Sequence, residues 1–173
     1  MNAVATPSYG ALAAHFTRLH HWAHLGSIAS WDRAANMPSK GNDARAAAMA
    51  ELATLMHRMR TEAGLADRIA RAEDEPLSDL QRANLREMRR QWHQANALPE
   101  ALVQRRELLT ARCEHAWRTQ RPANDWAGFV ENWRPVVALA REEAALLAEQ
   151  SGLSKYDALI DRYEPGTTSA QVG

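Results

Sequence analysis

The sequence predicts an all-α protein of about six helices in an irregular antiparallel array. Apolar residues recur at spacings of three and four between almost all the helix-breaking segments, and no run of alternating β-branched residues is long enough to indicate a strand. Hydrophobic residues make up 46% and charged residues 24% of the 173 residues, which is typical of a globular protein. A helical chain of this length can bury a core of its own. We therefore expect a single helical unit over residues 1–173.

Two helices are predicted in the first part of the chain. The first should run from about residue 9 to 32, capped by Ser8, with apolar residues four, three and four apart. The segment NMPSKGN follows, and its proline and glycine break helices. Asn42 should cap a second helix that ends near Gly64, with a short continuation to about Glu73.

A third and a fourth helix are predicted next. Ser78 and Gln81 have the spacing of a capping box, in which each side chain satisfies a free backbone amide, so the third helix should begin at Asp79. Pro99 marks the first position of the fourth helix, where its missing amide hydrogen costs nothing.

Asn124 or Asp125 should cap a fifth helix that reaches about residue 150. Pro135 lies inside this helix, removes one backbone hydrogen bond and clashes with the preceding turn, which predicts a kink or a split. Ser154 should begin a short sixth helix that ends at about Tyr163.

Thr168 and Gln171 repeat the capping-box spacing two residues before the sequence ends. This pattern predicts a further helix and favours a truncated sequence. A frayed tail with an accidental match is the alternative.

Charge and composition argue against several classes of partner. Lys plus Arg equals 21 and Asp plus Glu equals 21, so no net field favours phosphate backbones or anionic lipid, and nucleic acid is an unexpected partner. The N-terminus lacks the pattern of a secretory signal, and no window approaches the ~20 apolar residues of a membrane helix. A cytoplasmic protein is expected. The single cysteine, Cys113, lies on an apolar helix face and is interpreted as a buried structural thiol.

Histidines are concentrated on the first predicted helix, at His15, His20, His21 and His24. His20 and His24 are four residues apart, a spacing that could bind a transition metal, but two ligands leave the coordination shell unfilled. A partly exposed helix face is the preferred interpretation. A small histidine-rich metal binder stays an alternative.

Other chemical candidates also have structural interpretations. Trp31 could stack on a ligand and Asp32 could donate a proton. We favour a structural interpretation, in which Trp31 anchors the core and Asp32 bonds free backbone groups. Glu114 and His115 are adjacent on a helix and point in different directions, so they form neither a ligand pair nor a proton relay. The six tryptophans mostly fall on apolar stripes and are interpreted as core.

Four stretches carry a resemblance to a known family. SWDRAANMP (residues 30–38), LSDLQRANLREMRRQW (77–92), EHAW (114–117) and YDALIDRYEPG (156–166) occur in order and spacing. Together they resemble the N-terminal helical part of the carboxypeptidase Taq family of metallocarboxypeptidases, over residues 9–172.

The resemblance implies a mainly helical peptidase about three times as long, which removes single residues from peptide C-termini. It also implies a zinc or cobalt ion held by a His-Glu-x-x-His helix and a downstream glutamate. Such a helix places two imidazoles on one face with a general base between them. This sequence contains no His-Glu dipeptide. No catalytic, cofactor-binding or metal-binding residue is therefore assigned to it.

Two functions from different classes follow. The first is an N-terminal scaffold portion of a metal-dependent carboxypeptidase, inactive alone, whose partners are the remainder of that fold or a second copy. The alternative is a free-standing helical interaction module derived from the fold. Apolar faces left open to water should drive self-association. The resemblance also implies a homo-oligomer, and peptide is a substrate only of the full-length enzyme.

Overall fold

The structure, a computed structural model, describes residues 5–172. Within this range it contains eight α-helices, one short 3-10 helix at Ser39–Gly41 and no strand. The α-helices are α1 (Pro7–Ala35), α2 (Asn42–Arg60), α3 (Leu65–Glu73), α4 (Asp79–Ala97), α5 (Glu100–Gln120), α6 (Trp126–Ser151), α7 (Lys155–Ile160) and α8 (Ser169–Val172). The all-α prediction is confirmed. No helix in the described range is long and apolar enough to cross a membrane.

The described residues group into two compact units. The first contains residues 5–37 and 52–96, and the second contains residues 38–51 and 97–172, so the division falls inside α2. The single unit expected from the sequence stays a prediction.

The first unit has a core in which α1 packs on α3. Leu12 of α1 and Leu65 of α3 are fully shielded from water. Burial of a whole leucine side chain removes apolar area from water and stabilises the fold. The core cluster comprises Leu12, Leu65, Ile69, Ala72, Leu77, Leu85 and Met88, with Tyr9, Ala13, Phe16 and Trp92 packed against it.

The start of α1 differs from the prediction. Ser8 does not cap the helix, because α1 begins at Pro7 with Thr6 at the capping position and no side-chain cap there. The carboxylate of Glu75 takes this role: it accepts hydrogen bonds from the backbone amides of Ser8 (2.7 Å) and Tyr9 (2.9 Å). A carboxylate suits this position because a helix N-terminus carries free amides and partial positive charge.

The region after α2 is a separate helix and not a continuation. Gly64 has φ of 80°, in the left-handed region that favours glycine, and α3 begins at the next residue. The sequence predicted a helix ending near Gly64 with a short continuation to about Glu73, whereas α2 ends at Arg60 and α3 is a helix of its own.

The second unit is built on α5 and α6, which pack together, with α7 packed on α6. Its buried apolar side chains on these helices are Leu102, Val103, Ala111, Cys113, Leu139, Ala144, Leu147 and Ala158. Cys113 is buried as predicted, and burial raises the pKa of its thiol.

Local capping predictions are largely confirmed. The amide of Ser78 donates to Gln81 Oε1 (2.8 Å) and the amide of Gln81 donates to Ser78 Oγ (3.3 Å), so the capping box is formed. Asp125, and not Asn124, caps α6 by accepting from the amide of Gly128 (2.9 Å). Ser154 caps α7.

Two prolines can be compared with the prediction. Of the kink or split predicted at Pro135, the split is absent, because α6 is continuous from Trp126 to Ser151. The kink stays a prediction. Pro99 lies at the N-cap of α5 and not at its first helical position. The amide of Thr168 donates to Gln171 Oε1 (2.8 Å), and α8 follows as the sequence predicted.

Candidate functional site

The histidines of α1 are dispersed and do not converge. His15 Nε2 donates to the carbonyl oxygen of Met59 (2.9 Å), and its Nδ1 lies 3.6 Å from Glu62. His20, His21 and His24 are exposed. Both nitrogens of His15 therefore face protein groups, which supports the structural interpretation of that residue.

The remaining candidate pairs also have structural surroundings. The carbonyl oxygen of Asp32 accepts hydrogen bonds from the amides of Asn36 and Met37, both 2.9 Å, at the end of α1. Glu114 pairs with Arg118 one turn along α5 at 3.1 Å, an ion pair typical of a helix surface.

The interpretation of the tryptophans as core is wrong. Trp92 packs against the core of the first unit, whereas the other five are substantially exposed. Trp31, expected to anchor the core, is 64% exposed, and Trp126 is 68% exposed. The apolar stripes of these helices therefore include tryptophans that no described helix covers fully.

An aromatic pocket lies at the turn between α5 and α6. We call it the α5–α6 pocket; its volume is about 330 Å³. It is lined by Trp117, Gln120, Arg121, Asn124, Asp125, Trp126 and Phe129. The rings of Trp126 and Phe129 are 5.5 Å apart, and Phe129 stacks on Trp133 at 5.9 Å. Spacings of three and four residues put these rings on one face of α6.

A second pocket of about 320 Å³ lies in the first unit, between α1, α4 and the end of α2. It is lined by Phe16, Leu19, His20, Ala23, Arg60, Asn84, Glu87, Met88 and Gln91. A hydrogen bond from Arg90 lowers the pKa of Glu87 against the opposing effect of desolvation. His20 shares this pocket with the cationic Arg60 and the anionic Glu87, whereas His24, its candidate partner for a metal, is not among the lining residues.

A buried carboxylate joins two helices of the second unit and the segment that follows α7. Glu143 of α6 is 3% exposed, and its Oε1 accepts from Arg106 of α5 (2.8 Å) and from Arg162, which follows α7 (2.6 Å). Two cations on one carboxylate compensate its loss of water. Both arginines bond the same oxygen, so this carboxylate serves to join α5, α6 and the segment after α7.

The family of the chain follows from a match over almost its whole length. The family model described as "Carboxypeptidase Taq (M32) metallopeptidase" matches residues 11–173. The chain belongs to the carboxypeptidase Taq family. The resemblance drawn from the four sequence stretches is confirmed.

Three relatives within the carboxypeptidase Taq family are much longer than this chain. Thermostable carboxypeptidase 1 of Thermus thermophilus is 34% identical over 162 residues, which cover 87% of this chain and 32% of the relative. Among solved structures, Trypanosoma cruzi metallocarboxypeptidase 1 is 44% identical with a TM-score of 0.79, covering 97% of this chain and 34% of that one. A Pyrococcus furiosus carboxypeptidase is 25% identical, with a TM-score of 0.77 over 97% and 34% of the two chains. The chain thus spans about a third of its relatives' length.

The metal that the family name implies does not fit the residues described. Between residues 5 and 172, no three His, Cys, Asp or Glu side chains are grouped closely enough to hold an ion. The absence of a His-Glu dipeptide from the sequence agrees with this. We therefore derive no catalytic step for these residues.

The α5–α6 pocket and the Glu143 group were both missed at the level of sequence. Aromatic residues at 126, 129 and 133 were a usable signal for the pocket, because their spacing makes one continuous ring surface. Glu143 gave no signal, since a glutamate on a helix is ordinarily solvated.

Proposed function

We propose that this chain is the N-terminal scaffold portion of a metal-dependent carboxypeptidase and is catalytically inert alone. The observation that carries the proposal is the family match over residues 11–173, set against relatives about three times as long. Removal of C-terminal residues from peptides then belongs to the full-length enzyme. The metal, zinc or cobalt, would be held by residues outside this chain.

The geometry supports a scaffold because one partly buried and one buried carboxylate hold helices in place. Glu75 caps α1, and Glu143 joins α5, α6 and the segment after α7. Their chemistry is that of fixed ion pairs and caps, which position helices.

An activity assay tests the proposal directly. Purified chain is incubated with a blocked dipeptide and added zinc or cobalt, and release of the C-terminal residue is followed. We expect no release above the metal-only blank. Turnover that a chelator abolishes would contradict inertness, since it would require a metal site within these residues.

The alternative, a free-standing interaction module, is favoured by the five exposed tryptophans, which need a partner surface of some kind. The nucleotide sequence past codon 173 separates the two functions. An open frame that soon encodes His-Glu-x-x-His supports the scaffold, whereas a natural stop codon supports the module.

A cytoplasmic location and a homo-oligomeric state are part of the same proposal. The cytoplasmic location is supported by Cys113, the single cysteine, which is buried and forms no internal disulfide. Disulfides are rare in cytosolic proteins. Cell fractionation with an antibody against the chain tests the location.

A further inference from the structure

Large aromatic side chains at the α5–α6 pocket stay exposed, although aromatic rings of this size are usually covered by other protein groups. Trp117 is 45% exposed and Trp126 is 68% exposed, although both line a concave site. Trp133 extends the same surface, is 46% exposed and stacks on Phe129 with the ring planes 19° apart. Contiguous aromatic surface of this kind is typical of a protein contact site.

Hydrogen bonds within the turn between α5 and α6 fix the shape of the pocket. Its floor is the tight turn between the helices, where the amide of Asp125 donates to the carbonyl oxygen of Gln120 (2.9 Å) and Asp125 caps α6. Asn124 adopts a positive φ of 52° in that turn. A turn held by these bonds fixes the two aromatic walls, so an occupant pays little to order them.

One polar atom at the pocket lacks a partner. The side-chain oxygen of Gln120 is buried and accepts no hydrogen bond from any residue between 5 and 172. A buried acceptor without a donor is unfavourable. That oxygen is shielded from solvent, so an occupant reaches it only if the Gln120 side chain rotates. A protein backbone next to a leucine, phenylalanine or similar residue would bring both an N–H group and an apolar side chain.

We propose that the α5–α6 pocket receives an apolar side chain from the two thirds of the carboxypeptidase fold that this chain does not include. The occupant follows from length and fold: relatives with the same helical arrangement have about twice as much additional polypeptide to pack. This inference rests on the proposed scaffold function and names a docking site within it.

The main experiment joins residues 1–173 to the remaining two thirds of the Trypanosoma cruzi metallocarboxypeptidase, the relative with 44% identity. Hydroxyl-radical labelling of Trp126 is compared between the hybrid and the 173-residue chain, with Tyr156 of α7, which is 67% exposed, as the internal reference. We expect labelling of Trp126 to slow several-fold in the hybrid relative to Tyr156. Equal labelling in both proteins would overturn the proposal.

The two proposals fail separately in this experiment. A folded hybrid that releases no C-terminal residue counts against the scaffold function, while protection of Trp126 is read independently and decides the docking site. If Trp126 of the 173-residue chain becomes protected as its concentration rises, a second copy fills the pocket and the proposed occupant is wrong.

A second measurement needs no hybrid. N-acetyl-leucinamide, which carries an apolar side chain and amide N–H groups, is added to the 173-residue chain at rising millimolar concentrations. We expect slower labelling of Trp126, and loss of this effect in the Trp117→Ala variant, which removes one wall. No change in wild-type labelling up to the solubility limit would contradict the proposal.

Discussion

Glu143 is charged yet buried, and its position is acceptable only because two arginines share its carboxylate. Arg106 and Arg162 are themselves about a quarter exposed, at 25% and 29%, so water screens them in part. The sequence could not predict this group, since its partners lie 37 and 19 residues away. Such contacts exist only after three segments have packed.

Replacement of Glu143 should therefore be costly. Glu143→Ala leaves two partly buried cations without their anion, and we expect a loss of about 2–3 kcal/mol in the free energy of unfolding. Urea unfolding followed by circular dichroism measures this. Glu142→Ala is the matched control, because Glu142 is an exposed neighbour that pairs with Arg105 at the surface, and its loss should be below about 1 kcal/mol. Equal losses in the two variants would contradict the role given to Glu143.

At the scale of the element, the sequence predicted those helix ends that depend on neighbouring residues. The Ser78 and Gln81 box and the Asp125 cap join groups three residues apart, so spacing alone identifies them. The start of α1 was predicted wrongly because its cap, Glu75, is 67 residues from Ser8. A local pattern carries no information about a cap supplied by a distant segment.

The Glu75 cap predicts a pH dependence of stability. Desolvation would raise the pKa of Glu75, but the amides of Tyr9 and Ser8 outweigh it and hold the pKa below the ordinary 4.5. A carboxyl group with a lowered pKa stabilises the fold above pH 4.5, and this contribution is lost as pH falls through the folded-state value. The variant Glu75→Gln should thus be less stable than wild type at pH 7, with the difference shrinking below pH 4.5.

Unfolding curves between pH 7 and pH 3 test this dependence. Glu149→Gln, at an exposed position near the end of α6, is measured alongside as the replacement of a surface glutamate. A Glu75→Gln difference that is independent of pH would show that the ionised carboxylate does not stabilise α1.

Pro135 gives a second prediction for an element. Because α6 is continuous, an alanine at this exposed position would restore an amide that can donate to the carbonyl oxygen of Glu131. We expect Pro135→Ala to raise the free energy of unfolding by about 1–2 kcal/mol. This is less than the difference in helix propensity between alanine and proline, because alanine also gives the unfolded chain more conformational freedom.

Pro99→Ala is the matched control for that variant. Pro99 precedes α5 with an extended backbone, where a missing amide costs no helical hydrogen bond, so alanine should bring no gain. Thermal unfolding of both variants is the measurement. A destabilised Pro135→Ala protein would mean that α6 is bent at this point and that the new amide finds no acceptor.

At the scale of the whole molecule, hydrophobic periodicity identified helices well and burial poorly. A stripe shows that a face is apolar, but it does not show which polypeptide covers that face. Trp31 and Trp126 were therefore assigned to a core although they are 64% and 68% exposed. This chain spans about a third of its relatives' length, so apolar residues that are exposed in it indicate surfaces suited to packing against other polypeptide.

The second half of α1 presents the clearest surface for self-association. Leu25, Ile28 and Trp31 follow one another at three-residue steps and lie within an arc of roughly 120° of the helix surface. They are 53%, 50% and 64% exposed. We expect the 173-residue chain to associate reversibly as its concentration rises, since joining two such surfaces removes apolar area from water. Light scattering behind a sizing column measures the mass. Trp31→Gln should weaken association, whereas Tyr163→Gln, a change at an isolated residue that is 82% exposed, should not. A monomer at every attainable concentration would show that this face is covered or kept soluble without a second copy.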